Sequence, residues 1–250
     1  MSFYVNQNPE SISNYKKYLQ LIGSLSQLFS ESIIPYLYYR VVEKIFCKTF
    51  FADDLSRNDI SVDAKKSNIG IGLKTFLMNN SKTFQKVAEF NRDKPLYDLK
   101  SAKDKIITIS ELRNERIEFT EDAFLIEKSL YHCIVRSENK FNIFEEPLQK
   151  IDIENIREIK DKNNSIYFND GMNEYSFLKS KSTLTKRFIT TSFIDEIEIK
   201  IFNNPFEALE LLGEKKLDIL KTEKYETVYL PLYGGYKKVY KKSGLNQWNA

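Results

Sequence analysis

Along the first fifty residues, apolar positions recur at near-helical spacing. Asn8-Pro9-Glu10 is suited to a helix start, and Ile12, Tyr15, Leu19, Ile22 and Phe29 follow it. Pro35 is placed to open a second helix, with Leu37, Val41, Val42, Ile45 and Phe46 toward a core and Glu43 among them. Phe51 to Ile60 is polar and reads as a loop. Val62-Asp63 and Ile69 to Phe76 read as strands, the second alternating Ile69, Ile71, Leu73 and Thr75 with Gly70, Gly72, Lys74 and Phe76. The two glycines call for a close approach of another backbone or of a ligand, or for a hairpin bend. Asn79-Asn80-Ser81 is a candidate cap for a helix running from Lys82 through Phe84, Val87 and Ala88 to Glu89. Pro95 to Glu118 is charged and helix-compatible.

From Ser129 the texture changes. Leu130–Val135, Lys140–Phe144, Ile151–Ile159, Ser165–Phe168, Glu174–Phe177 and Phe193–Phe202 read as strands, with turns at Asp161–Asn164 and at Asn169-Asp170-Gly171-Met172. Pro205–Leu212 reads as a short helix, and beyond Gly213 the chain is rich in Lys, Tyr and Gly. The fold class expected is α/β: a central mixed sheet flanked by helices, plus an antiparallel β section at 129–202. The expected organisation is one domain over residues 1–212, followed by a linker at 213–250.

Composition narrows the chemistry. With 42% hydrophobic and 29% charged residues, the chain can bury a sizeable core. Its 38 basic and 35 acidic residues leave a net charge of +3, too balanced for a purely electrostatic polynucleotide coat but compatible with a local basic groove. Cys47 and Cys133 form neither a disulfide framework nor a zinc ligand set, and two reduced thiols suit a cytoplasmic protein. No apolar run approaches the ~20 residues that span a bilayer, and no basic-then-apolar leader opens the chain. His132 is the only histidine, which removes His-pair zinc sites and paired His-Lys phosphodiesterases. Its alternation with apolar neighbours makes it a half-buried strand residue.

One constellation carries chemistry. Asp63 closes a short apolar segment, Lys74 sits on the next strand, and Glu89 follows after fourteen intervening residues. Phosphodiester cleavage needs a divalent cation held by carboxylates, an activated water and positive charge facing the phosphorus. Asp63 and Glu89 are the candidate Mg²⁺ ligands, and Lys74 is the candidate to act on water and phosphate. A turn at Ser67-Asn68 would bring Asp63 and Lys74 together. The competing account is three solvated residues on exposed faces.

The spacing resembles that of the PD-(D/E)XK nuclease superfamily over about Pro35 to Phe90. Asp63 and Lys74 match the first and last elements of its motif, while Gly72 stands where the middle acid belongs. The resemblance to the NgoMIV-type branch implies that Glu89, on a following helix, replaces that acid, and Glu43 matches an additional helical acid of many members. A second resemblance lies at Tyr229-Leu230-Pro231-Leu232-Tyr233 and Lys242 to Ala250. These segments are similar to the junction preceding the DNA-recognition domain of NgoFVII-type restriction endonucleases. Together the resemblances imply the catalytic part of a Mg²⁺-dependent type II restriction endonuclease acting on double-stranded DNA as a homodimer, with a recognition domain beyond Ala250.

Candidate DNA contacts are Arg57 in the polar loop, Lys65 and Lys66 beside the turn, and Lys181, Lys186 and Arg187 in a Lys/Ser/Thr cluster. Loop pairing with Asp53 or Asp54 explains Arg57 as well, strand-edge protection explains the lysine pair, and a solvated face explains the cluster. The rival function is a non-catalytic DNA-binding or dimerisation module. A carboxylate-based glycoside or phosphoester hydrolase is a further alternative, in which Lys74 is dispensable.

Overall fold

A computed structural model describes residues 2–57 and 60–214. Residues up to Pro205 form one compact unit, and the described part of the second is a helix. Helix α1 (Pro9–Ser24) begins where expected, its Asn8 side chain accepting the Glu10 N–H at 2.8 Å. Helix α2 (Tyr39–Phe50) starts four residues after Pro35. The Ser26 hydroxyl takes the Tyr36 N–H at 2.8 Å and closes the loop between them. Val42, Ile45, Phe46 and Phe50 form the buried stripe of α2, which ends at Phe51 in the left-handed region.

Eleven strands follow among the described residues. They are β1 (Asp53–Asp54), β2 (Ala64–Lys66), β3 (Ile69–Leu77), β4 (Lys82–Glu89), β5 (Lys128–Ser137), β6 (Lys140–Pro147), β7 (Arg157–Lys162), β8 (Ser165–Asn169), β9 (Glu174–Leu178), β10 (Thr183–Ile189) and β11 (Asp195–Glu198). Two helices, α3 (Lys94–Tyr97) and α4 (Ala102–Ala123), lie between β4 and β5, and α5 (Pro205–Glu214) is last. The first sheet has the order β1-β2-β3-β5-β6-β11 and is mixed, because β3 and β5 run parallel and every other pair is antiparallel. The second, β4-β10-β9-β8-β7, is antiparallel throughout. The α/β class, the mixed sheet with helices and the added antiparallel section therefore stand as the sequence predicts.

Lys82–Glu89 is where the reading fails: it is strand β4, not a helix. Asn80 and Ser81 both have positive φ (39° and 64°), and the Lys82 N–H bonds to the Asn79 carbonyl, so the presumed cap is a tight turn between strands. The β-rich section also divides: β5, β6 and β11 extend the first sheet, and β7 to β10 form the second with β4. The strands expected at Ile151–Ile159 and Phe193–Phe202 shrink to Arg157–Lys162 and Asp195–Glu198.

Strand β5 is covered on both faces, as a parallel strand at the middle of a sheet should be. Leu130 and Ile134 pack with β3, α1 and α2, while Tyr131, Cys133 and Val135 face Phe76 and Phe188. A third core lies between α4 and the second sheet, around Ile106, Ile109, Phe168 and Phe177. His132 is wholly buried on the helix side, not half-buried. Its Nδ1 lies 2.8 Å from Glu145 Oε1 and its Nε2 3.0 Å from the Tyr15 hydroxyl. Ser2 and the Tyr4 N–H also bond Glu145, so this network ties the N-terminal segment to the sheet, a structural role. Both cysteines are free, and burial pushes the Cys47 thiol up to about 12. No described helix is long and apolar enough to cross a membrane. The Tyr229–Tyr233 and Lys242–Ala250 segments, and the linker expected around them, lie outside the described residues.

Candidate active-site cleft

The hairpin of β2 and β3 turns at Ser67, which takes positive φ (55°), so Asp63 and Lys74 approach each other as the spacing requires. Asp63 precedes β2 and is fastened to β3 twice. Its N–H donates to the Ile71 carbonyl at 2.8 Å, and its Oδ2 accepts the Leu73 N–H at 2.7 Å. The carboxylate is thereby fixed beside the backbone immediately before Lys74. Helix α2 supplies Glu43, which is only 5% exposed. Its carboxylate accepts from Arg40 Nη1 at 3.1 Å, and the same nitrogen donates to the Ser56 carbonyl at 3.1 Å.

Glu43, Asp63 and Lys74 line one cleft of about 550 Å³, with Tyr39 and Arg40 of α2 and Gln85 and Lys86 of β4 also on its walls. Burial raises the pKa of Glu43, and the charge on Asp63 raises it further, against the pull of Ser56 and Arg40. Burial likewise raises that of Asp63, with Lys74 and the Leu73 N–H only partly offsetting it. Two desolvated, mutually repelling carboxylates are an arrangement that a cation relieves. Thr75 also lines this cleft, and its Oγ1 is buried without a hydrogen-bond partner. Among the described residues no group of three or more His, Cys, Asp or Glu side chains converges. A metal here would rest on two carboxylates and fill its shell with water and phosphate, which suits Mg²⁺.

Glu89 does not join them. It ends β4 on the second sheet, its carboxylate is bonded by Lys86 and Asn91, and it lines a neighbouring depression with Arg92, Asp93 and Arg116. The Lys86 hydrogen bond lowers its pKa, the opposite of the shifts at Glu43 and Asp63. Of the four acid and lysine candidates, the structure brings together Asp63, Lys74 and Glu43, and the acid that shares the cleft with Asp63 is Glu43, not Glu89. A signal for this lay in the pattern of α2, where Glu43 interrupts the stripe Val42, Ile45, Phe46 as a lone acid on a buried face.

Gly72 has a packing reason. A Cβ there would lie 3.0 Å from Tyr131 Cδ1 and 3.3 Å from Leu148, so aromatic and aliphatic carbon occupies the space where a middle acid would project. Gly70 is similarly confined by Val62 and Ile126. Tyr131 cannot easily retreat, because its hydroxyl accepts from buried Arg113 at 2.8 Å. Gly72→Ala is therefore expected to destabilise the fold by about 1–3 kcal/mol through overpacking, readable as a lower urea midpoint at unchanged m-value.

The candidate DNA contacts scatter. Arg57 is exposed on the loop after β1, whose Asp54 is bonded by Lys44 and Ser56 and held at about 2, the Ser56 hydroxyl being the main cause. Lys65 is half-buried in the hairpin, and Lys66 donates to Gln7 at 2.9 Å. Lys181 is exposed in a short turn, and Arg187 pairs with Glu174 at 3.0 Å. Lys186 is buried against Glu146 and is not presented to solvent. Reading by sequence missed Tyr39, Arg40, Gln85 and Lys86 as cleft residues. No family model, no curated protein and no solved structure matches this chain.

Proposed function

We propose that this protein is a divalent-metal-dependent nuclease that hydrolyses DNA phosphodiester bonds in the cleft between α2, the β2–β3 hairpin and β4. The observation that carries this reading is the convergence of Glu43, Asp63 and Lys74 on one cleft, with both acids destabilised as anions by burial. Mg²⁺, when bound, would polarise the phosphate and lower the pKa of a bound water. Glu43 and Asp63 would hold it. The Leu73 N–H keeps one Asp63 oxygen engaged and so orients the other. Lys74 brings positive charge to the phosphate and the attacking water, and Arg40 keeps Glu43 in place.

The resemblance to PD-(D/E)XK enzymes, with the restriction-endonuclease role, cytoplasmic setting and homodimer that it implies, belongs to this proposal. The acid lost at Gly72 is supplied by Glu43 in this reading, not by Glu89. Incubating supercoiled plasmid with the 250-residue chain in Mg²⁺ or EDTA tests it. Metal-dependent nicking is expected, reduced about 10²-fold by Glu43→Gln and left within about twofold by Glu89→Gln. Absence of nicking by the wild type, or indifference to Glu43→Gln, would overturn the reading and favour a non-catalytic DNA-binding module.

A further inference from the structure

Tyr39 lines the same cleft, and its neighbour Tyr38 stands beside it in solvent. Tyr38 and Tyr39 are 45% and 48% exposed, and their ring centroids lie 4.7 Å apart. Single exposed aromatics are ordinary. A contacting pair at the edge of a charged cleft, fixed to the groups that would do the chemistry, is not. The Arg40 guanidinium lies 5.2 Å from the Tyr39 centroid, and that same side chain bonds Glu43 and the Ser56 carbonyl. Tyr39 and Glu43 are one helical turn apart, so their Cβ atoms are separated by about 5–6 Å. The Tyr39 ring thus stands on the same helix as Glu43, one turn before it and in the same cleft.

We propose that Tyr39, backed by Tyr38 and Arg40, is a stacking platform for an unpaired base beside the phosphate held in the cleft, so that the preferred substrate is DNA that is single-stranded at the bond to be cut. This rests on the cleft being a nucleic-acid site, and it takes the substrate of the proposed nuclease away from the fully paired duplex that a restriction-endonuclease role requires. A nucleobase has two π faces, and within a duplex both are covered by neighbouring pairs. Only an unpaired or terminal base offers a face to a protein ring. Stacking on aromatic side chains is tolerant of base identity, and Arg adds cation–π attraction. Lys74, Lys86 and Arg40 on the walls supply charge complementary to the backbone of that strand.

The test is fluorescence anisotropy in EDTA at fixed, low salt, with the full chain and labelled DNA, either a single-stranded 12-mer or a long duplex in which interior sites far outnumber the ends. Tyr39→Ala is expected to weaken single-strand binding about 5- to 100-fold. The same variant should change duplex binding by less than about twofold, and Tyr39→Trp should retain single-strand affinity. Circular dichroism of each variant reports retention of the fold. An unchanged single-strand Kd in Tyr39→Ala, equal losses on both DNA forms, or no measurable binding by the wild type would each overturn the proposal. Because no cutting occurs in EDTA, the result separates from the nuclease reading. Binding that depends on Tyr39 without Mg²⁺-dependent nicking keeps the platform and removes the nuclease, and nicking that ignores Tyr39 does the reverse.

Discussion

Replacing Asp63 by asparagine is expected to reduce Mg²⁺-dependent cleavage by about 10²–10³-fold and to raise the melting temperature of the metal-free protein at neutral pH. The two effects share one cause. Burial raises the pKa of Asp63 and of Glu43 in the fold. Each acid binds its proton more tightly folded than unfolded, so its contribution favours the fold below the ordinary carboxylate range and is lost as pH rises through the raised folded values. Above those folded values both are ionised in either state, and the penalty is complete. Asparagine removes one charge and still accepts the Leu73 N–H. In a domain of this size each kcal/mol recovered raises the melting temperature by about 2–4 °C. The advantage of the variant over the wild type should shrink as pH falls through the folded pKa values of these acids. Added Mg²⁺ should raise the wild-type melting temperature at neutral pH and leave Asp63→Asn nearly unmoved. Calorimetric scans at several pH values, with and without metal, would read all of this. An advantage that grows toward acid would show that the cleft does not hold its carboxylates as described.

The second large effect concerns stability alone. Lys186 of β10 is 5% exposed, and its ammonium pairs with Glu146 of β6, joining the two sheets. Glu146→Ala is expected to destabilise the protein by about 3–5 kcal/mol, because it leaves a buried ammonium uncompensated. The pair itself contributes much less than that. Burial outweighs Lys186 at Glu146 and raises its pKa, so the attraction does not repay the desolvation of the carboxylate. The double variant Glu146→Gln with Lys186→Met should therefore recover most of the loss. Urea unfolding of the three proteins checks this; a double variant no better than Glu146→Ala would mean that the pair is intrinsically stabilising.

Much of the architecture was legible. The Asn8 cap, the inward stripe of α2 and the turn at Ser67-Asn68 follow from local rules that tertiary contacts leave intact. Lys82–Glu89 was not legible, because its apolar residues Phe84, Val87 and Ala88 fall at helical spacing, and the partner that selects the strand, β10, lies about a hundred residues away. The site was half legible for the same reason. Asp63 and Lys74 are brought together by a hairpin, a short-range device. Glu43 joins them through packing of α2 on the sheet, and Glu89 was lost when its helix proved to be a strand. Gly72 does mark a close approach, but what approaches is the Tyr131 side chain, neither a backbone nor a ligand.

The pairing of β4 with β10 also sets a timetable. Helix α2 and the β2–β3 hairpin involve only neighbours in sequence, so Glu43, Asp63 and Lys74 have local means to assemble early. The facing wall, β4, has no partner on which to form its ladder until Thr183–Ile189 has been synthesised. A growing chain on the ribosome thus carries its charged groups long before the cleft has both walls, and the second wall can form only when three quarters of these 250 residues have been made.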